Sequence, residues 1–524
     1  MKQRWIDIAI SLALAIVAWV IYRKILRLWW MLDDPNHLLM LTPVSPAGIF
    51  TRRFTALLGK PLFTPLHFLS MKLDLVCFGP NPRMWYLHQL IAFLFLAPLQ
   101  YAMLRLWCSR PASLMAALVT MMGVPVMNIV PVLMLRHYVE GAVFAFAAVI
   151  LYVRGERTSR PLDQMSGRDV RSPRALSIAS AVLYLIAALY KEIFVPLPLI
   201  LGAYSRKKHL IPHVIAAFIY AALRLTLLGS STESYDFVVR PHDRLKMIAT
   251  LPFRAFGQFG IPVAIAVVIC VAIVFIRMRN ARLVIVAGFL AALLPIIPVA
   301  AQLQPRWAFA LWLVSASAIA FVELALPRYG LLVIGAVLIA TVASFRVEWP
   351  RAFRGFMRMS DEARAFVNLG PNDILLDAET PPVTMQTLAH YSHARGRALY
   401  DELHLCADPQ AHRLLQYDAT KREVVETRTL DCAHIRTAPL FAHFVFDDGG
   451  AFYWTLGPYR DGKYIFVLGD DIAYEVRPDA GFRAPNIDAL TIRVRYESPA
   501  GWMTYSPDMR LDMKTRRPVD FDRR

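Results

Sequence analysis

Residues 138–190 decide the fold: YVEGAVFAFAAVILYV (138–153), RGERTSRPLDQMSGRDVRSPR (154–174) and ALSIASAVLYLIAALY (175–190). Two apolar runs flank a polar link that carries six arginines: Arg154, Arg157, Arg160, Arg168, Arg171 and Arg174. A helix crosses a bilayer with about 17–25 mostly apolar residues, and a short connection rich in Lys and Arg stays in the cytoplasm. The segment therefore predicts two membrane helices joined on the inside.

Outward from this pair the same pattern recurs. Eleven candidate spans cover roughly residues 5–22, 84–104, 112–133, 138–153, 175–190, 193–205, 211–228, 261–276, 283–299, 307–326 and 330–345. The sixth is short and carries Pro196 and Pro198. The first resembles a signal peptide at MKQRW but runs into IYRKI without a small-residue cleavage site, so it reads as an uncleaved span. Counting from the arginine-rich link puts Lys2 and Arg4, Arg105 to Arg110, Arg206 to Lys208, Arg277 to Arg282, and Arg328 in the cytoplasm. Arg23, Lys24 and Arg27 dissent and are outvoted. A first loop (23–83), a second loop (229–260) and everything after about residue 347 then fall outside. The first loop holds apolar clusters that read as interfacial helices, and a structured loop of about 60 residues is usually functional.

Composition agrees. The 524 residues are 57% hydrophobic and 18% charged, with mean hydropathy +0.43, against about 45–50% and about 25% in soluble domains. The net charge of +18 first suggests an anionic partner. The density of apolar runs assigns the chain to a lipid bilayer and sets nucleic acid aside. The charge is unevenly placed, at +21 on residues 1–346 and −3 on residues 347–524. Two regions follow, a multi-pass domain (1–346) and an extracytoplasmic domain (347–524). Short alternating runs such as LFAHFVFDD, AFYWTLG and ALTIRVRYES, separated by DDGG, YRDGK and RPDAG, make the second region β-rich with some helix. The expected fold is a polytopic α-helical membrane protein of about 11 transmembrane helices with a C-terminal mixed α/β domain.

Cys406 and Cys432 both fall in the outer domain and are candidates for a disulfide. No metal-ligand spacing appears, so no metal site and no cofactor are read, and a divalent-metal requirement stays open. Tyr453, Trp454 and Tyr459 fit either a stacking surface for a glycan or a β-domain core.

Chemistry is concentrated on the outer side. WWMLDDPNH places Asp33 and Asp34 just after the first span. Acids at a bilayer surface are often merely solvated, but transfer to a hydroxyl needs a carboxylate to take the proton and cations to hold an anionic leaving group. Candidate cations are Arg52, Arg53, Lys72, Arg136, Lys191 and Arg306. Lys191-Glu192 lies between two apolar segments, where charge is costly unless it snorkels or faces a partner or a wet cavity. His67, His88 and His137 face outward by the same count, and a structural role suits each.

Four stretches together resemble the GT-C superfamily of polyprenyl-phosphate-sugar-dependent glycosyltransferases, with the likeness strongest to protein O-mannosyltransferase relatives. They are WMLDDPNH, FTPLHFLSMKLDLVCFGPNPRMWYLHQLIAFLF, ALYKEIFVPLPLIL and QPRWAFALWL. Each is weak alone, and their order and topological side agree over about the first 345 residues. The chain departs from the pattern after Arg306 (Trp-Ala-Phe) and after His88 (Gln89-Leu90). The resemblance implies a GT-C-like membrane domain and inverting transfer from a polyprenyl-phosphate sugar to a glycan, lipid or protein acceptor outside a bacterial inner membrane. It implies Asp33 or Asp34 as base, with Asp33 favoured because Asp34 precedes Pro35. Lys191, Arg306 and Arg52 or Arg53 are implied at the lipid phosphate, with Glu192, His88 and Arg136 as further substrate-binding candidates. Two alternatives are a lipid or polysaccharide transporter and a polymerase or ligase acting on lipid-pyrophosphate glycans.

Overall fold

The structure, a computed structural model, describes residues 2–57, 63–158, 173–204, 208–228, 257–296, 305–366, 373–376, 412–418, 420–430, 440–446, 451–468, 472–483, 489–500, 503–507, 509–513 and 519–522. Cys406, Cys432 and the basic residues Arg160, Arg168, Arg171, Arg206 and Lys207 lie outside the described residues. The chain divides into two compact units. One comprises Met1–Arg27 and the described parts of Met40–Tyr235 and Val239–Arg354; the other joins Leu28–Leu39 to the described parts of Gly355–Arg524.

The described helices are α1 (Lys2–Tyr22), α2 (Asp34–Leu41), α3 (Arg52–Leu57), α4 (Pro65–Phe78), α5 (Pro82–Leu104), α6 (Arg110–Met121), α7 (Val124–Ile129), α8 (Arg136–Thr158), α9 (Pro173–Tyr190), α10 (Leu197–Tyr204), α11 (Ile211–Leu228), α12 (Gly257–Arg277), α13 (Arg282–Leu293), α14 (Phe309–Ala320), α15 (Val322–Ala325) and α16 (Gly330–Phe366). Among the described residues, seven helical segments are long and apolar enough to cross a membrane, and three shorter apolar ones lie at Arg174–Tyr190, Glu192–Tyr204 and Ile261–Arg277. The third expected span, 112–133, is broken into α6 and α7. Gly123 starts the break and Pro125 stands in the first turn of α7.

The burial pattern identifies the solvent. Along α1, Leu14, Ala18 and Tyr22 are buried at four-residue intervals, while Trp5, Leu12, Ile16 and Val20 are exposed. On α11 the buried residues are His213, Ala216 and Tyr220, and Phe218 is 71% exposed. A water-soluble helix turns its apolar stripe inward and a polar face outward. Here the outward faces are the apolar ones, and such surface is stable only against lipid. The chain is a multi-pass membrane protein.

Broken backbone at membrane depth must find internal partners. Gln89 supplies them after α7: its Nε2 donates to the carbonyls of Ile129 (3.2 Å), Val130 (2.7 Å) and Val132 (3.2 Å). At the other edge of the break, Trp312 Nε1 donates to the Thr120 carbonyl (3.0 Å), and its indole lies where a Cβ on Gly123 would stand, 2.1 Å from Nε1. Trp312 is fully buried and cannot retreat. Gly123→Ala is therefore expected to cost about 1–3 kcal/mol through overpacking, read as a lower unfolding midpoint in detergent.

The second unit carries three sheets. Strands β1 (Asp373–Leu376), β2 (His412–Asp418) and β3 (Glu423–Leu430) form one, with β1 and β2 parallel. Strands β4 (Phe441–Phe446), β5 (Ala451–Gly457), β6 (Lys463–Leu468), β7 (Ile472–Val476), β8 (Asp479–Arg483), β9 (Ala489–Glu497), β10 (Met503–Tyr505), β11 (Met509–Asp512) and β12 (Val519–Asp522) form two antiparallel sheets. Their orders are β12-β4-β5-β8 and β10-β9-β6-β7, with β11 also on β9. Period-two alternation makes them a sandwich: Phe444, Phe452, Trp454 and Leu456 from one sheet pack with Phe466, Ile492, Val494 and Leu511 from the other. Trp454 is thus core, Tyr459 stacks on Tyr496 (centroids 4.2 Å apart), and Tyr453 alone of the three faces outward. Within this unit Glu497 is half-buried beside Arg495 (2.9 Å), and its partial loss of water raises its carboxyl above the ordinary glutamate range.

Candidate functional site

The acidic segment is built by a tight turn. Leu32 adopts a left-handed conformation (φ 53°), and Asp34 opens α2. The Met31 N–H donates to Asp34 Oδ2 (3.2 Å), and the Asp34 N–H donates back to the Met31 carbonyl (3.1 Å). Asp34 is fully buried, so its carboxylate fastens the turn, whereas Asp33 is exposed and, among the described residues, is engaged through its carbonyl by the His37 N–H (3.1 Å). The segment is fastened within its own unit: the Trp29 N–H donates to Ser360 Oγ (2.7 Å), and the Arg364 guanidinium lies 5.3 Å from the Trp29 ring. Ser360 and Arg364 share one face of α16 at four-residue spacing.

In the membrane unit, Lys191 and Arg306 come together at one indole. Lys191 occupies an extended break after α9 and is only 6% exposed. Its Nζ lies 5.4 Å from the Tyr138 ring and 6.0 Å from the Trp307 ring. The Arg306 Cζ lies 5.4 Å from the same Trp307 ring, and its Nε is buried with no hydrogen-bond partner among the described residues. Burial pushes the Lys191 ammonium below the ordinary lysine range, and the nearby Arg306 charge acts in the same direction against the opposing pull of Glu192. Lys191 and Glu192 do not pair with each other. Glu192 accepts from Arg224 Nη1 (2.6 Å), leaving two cations at aromatic faces with no carboxylate ion-paired to either among the described residues.

The other sequence candidates are placed differently. Arg136 is fully buried at the start of α8 and pairs through Nη1 with Asp74 Oδ2, while Nη2 donates to the Trp85 carbonyl (3.0 Å). His88 Nδ1 lies 2.7 Å from Asp74 Oδ1 and His88 Nε2 lies 3.5 Å from Glu140 Oε1, which also accepts from Ser70 Oγ (2.9 Å). Two residues of α4 (Ser70, Asp74), His88 of α5 and two of α8 (Arg136, Glu140) thus form one network, which binds three helices together. Lys72 Nζ donates to the carbonyls of Leu41 (2.8 Å) and Thr42 (3.4 Å). Arg52 is exposed, and its Nε donates to the Thr226 carbonyl (2.5 Å) at the end of α11; Arg53 is also exposed. His67 and His137 are buried with ring centroids 4.5 Å apart. Among the described residues no group of three or more His, Cys, Asp and Glu is placed to hold a metal ion.

Asp74, Glu140 and Trp307 were not among the expected site residues. The first two had a readable signal: Ser70/Asp74 and Arg136/Glu140 are each four apart, which puts each pair on one helix face. The shared indole had none, because nothing in the sequence brings Lys191 beside Trp307.

No protein-family model matches the chain, and no curated protein matches it. Among solved structures it is similar to the crystal structure of ArnT from Cupriavidus metallidurans bound to undecaprenyl phosphate, at 13% identity over 80% of this chain and 94% of that one, with a TM-score of 0.42.

Proposed function

We propose that the chain is a GT-C-type membrane glycosyltransferase, moving a sugar from a polyprenyl-phosphate donor to an acceptor hydroxyl on the extracytoplasmic face of a bacterial inner membrane. One observation carries the reading: Lys191 and Arg306 both lie against the Trp307 ring, and among the described residues no carboxylate forms an ion pair with either. Two desolvated cations on an aromatic wall make a strong site for an anion, and a lipid phosphate entering between helices supplies one.

In this reaction the acceptor oxygen attacks the anomeric carbon as Asp33 takes the hydroxyl proton. The bond from that carbon to the phosphate oxygen breaks on the opposite face, so configuration inverts. Polyprenyl phosphate leaves with its new negative charge on Lys191 and Arg306. The exposed carboxylate of Asp33 suits it to the proton transfer, and Asp34, occupied with the Met31 N–H, positions the turn. Residues 347–524 form the extracytoplasmic domain, and the acceptor is a glycan, lipid or protein hydroxyl.

Lys191→Gln and Arg306→Gln test the anion site. Each is expected to raise the donor KM by about 10- to 100-fold, the loss of one hydrogen bond to a charged group. Polyprenyl phosphate added as product should inhibit each variant correspondingly less. Unchanged KM and unchanged product inhibition in both variants would remove the site from the mechanism.

A further inference from the structure

A second lipid-facing feature lies at the other end of the same unit. Helices α1 and α5 leave a partly open groove of about 600 Å³ between them. Its walls include Leu12 and Ala15 from α1 and Ile91 and Phe95 from α5, of which Leu12, Ile91 and Phe95 are exposed. Ala15 and Ala102 keep it wide, and Pro98, which has no N–H, leaves the Leu94 carbonyl on the groove wall without its helical donor. From Asp7 to Ala15 the groove follows about 12 Å of helix.

One end of the groove is charged. Asp7, Arg105 and Arg154 line it. The Asp7 carboxylate is already shared: it accepts from Arg110 Nε (2.9 Å), from the Tyr101 hydroxyl (2.6 Å) and from Arg105 Nε (3.4 Å). Two guanidiniums, Arg105 and Arg110, therefore share one carboxylate, and Arg154 adds a further cation to the groove lining next to a run of apolar wall. We propose that this groove holds an acyl chain of an anionic glycerophospholipid, with its phosphate at Arg105 and Arg154.

Chain direction separates this site from the one at Trp307. Helices α8 and α9 form an antiparallel hairpin, with Arg154 near the end of α8 and Lys191 just after the end of α9. Arg154 and Lys191 thus stand at opposite ends of the bundle, so one lipid phosphate does not serve both. The basic loops assign the Arg154 end to the cytoplasmic leaflet, where an anionic headgroup meets Arg105 and Arg154 at interface depth. The proposal needs only that the protein is embedded in a bilayer, and it does not depend on the glycosyltransferase reading.

Thermal unfolding of the full-length protein in neutral detergent tests it, with phosphatidylglycerol, phosphatidylcholine or polyprenyl phosphate added. Phosphatidylglycerol is expected to raise the midpoint by a few degrees more than phosphatidylcholine, because a ligand bound only by the folded state stabilises it. That difference should shrink in Arg154→Gln, where an exposed charge is removed, and in Ala15→Phe, where the groove is filled. Equal shifts with the two phospholipids would overturn the proposal. So would a difference that survives in both variants, or stabilisation by polyprenyl phosphate alone.

Discussion

Asp33→Asn is expected to lower sugar transfer by about 10²- to 10⁴-fold, the usual contribution of a positioned general base, with folding and membrane insertion unchanged. Asp33 is exposed, so the amide removes the charge without stranding a buried partner. Asp34→Asn provides the control. Its amide oxygen still accepts from the Met31 N–H, so the turn persists and most turnover should survive. Asp34→Ala loses that acceptor and should weaken transfer through a displaced Asp33. Rescue by Asn at 34 but not at 33 separates a base from a positioning residue. Full turnover in both Asn variants would end the assignment.

Arg136→Ala is expected to cost about 3–5 kcal/mol of stability, because it leaves Asp74 buried and charged without its main partner. The Trp85 carbonyl loses its donor as well. In the double variant Arg136→Ala/Asp74→Ala no such charge is stranded, so it should be more stable than Arg136→Ala alone. Unfolding midpoints in detergent read both effects. If the double variant were worse by the full sum of the two singles, the pair would not act as a unit.

How much of this could be read in advance follows from the kind of force involved. Apolar run length made the spans legible, since lipid imposes one length on every crossing helix; α1, α5, α8 and α11 lie where the runs predicted. The span at 112–133 was misread as continuous because hydropathy does not register a break whose carbonyls are satisfied by a distant side chain, here Gln89. Alternation made the sandwich strands legible in the same way, and it also explains why Trp454 and Tyr453, adjacent in sequence, take opposite sides of their sheet.

The candidate site was legible as residue types and only partly as partners. Lys191 stands out because charge between apolar segments is costly, and Arg306 through its place on the outer side and in the QPRWAFALWL stretch. Arg136 is a candidate cation by its outer-side position, yet its charge is absorbed by Asp74, 62 residues away in sequence, in a network that ties helices. Lys191 and Glu192 are adjacent, but neighbours on an extended break point apart, and Glu192 turns to Arg224. Pairing across helices depends on how they pack, and hydropathy carries no record of it.

The most direct test is incubation of purified full-length protein with radiolabelled polyprenyl-phosphate sugars and an envelope-lipid, glycan or protein acceptor. Label is expected to pass from donor to acceptor with inversion at the anomeric carbon, and to stay on the donor with Asp33→Asn. Absence of transfer from every polyprenyl-phosphate sugar, or equal transfer by wild type and Asp33→Asn, would contradict the proposed function.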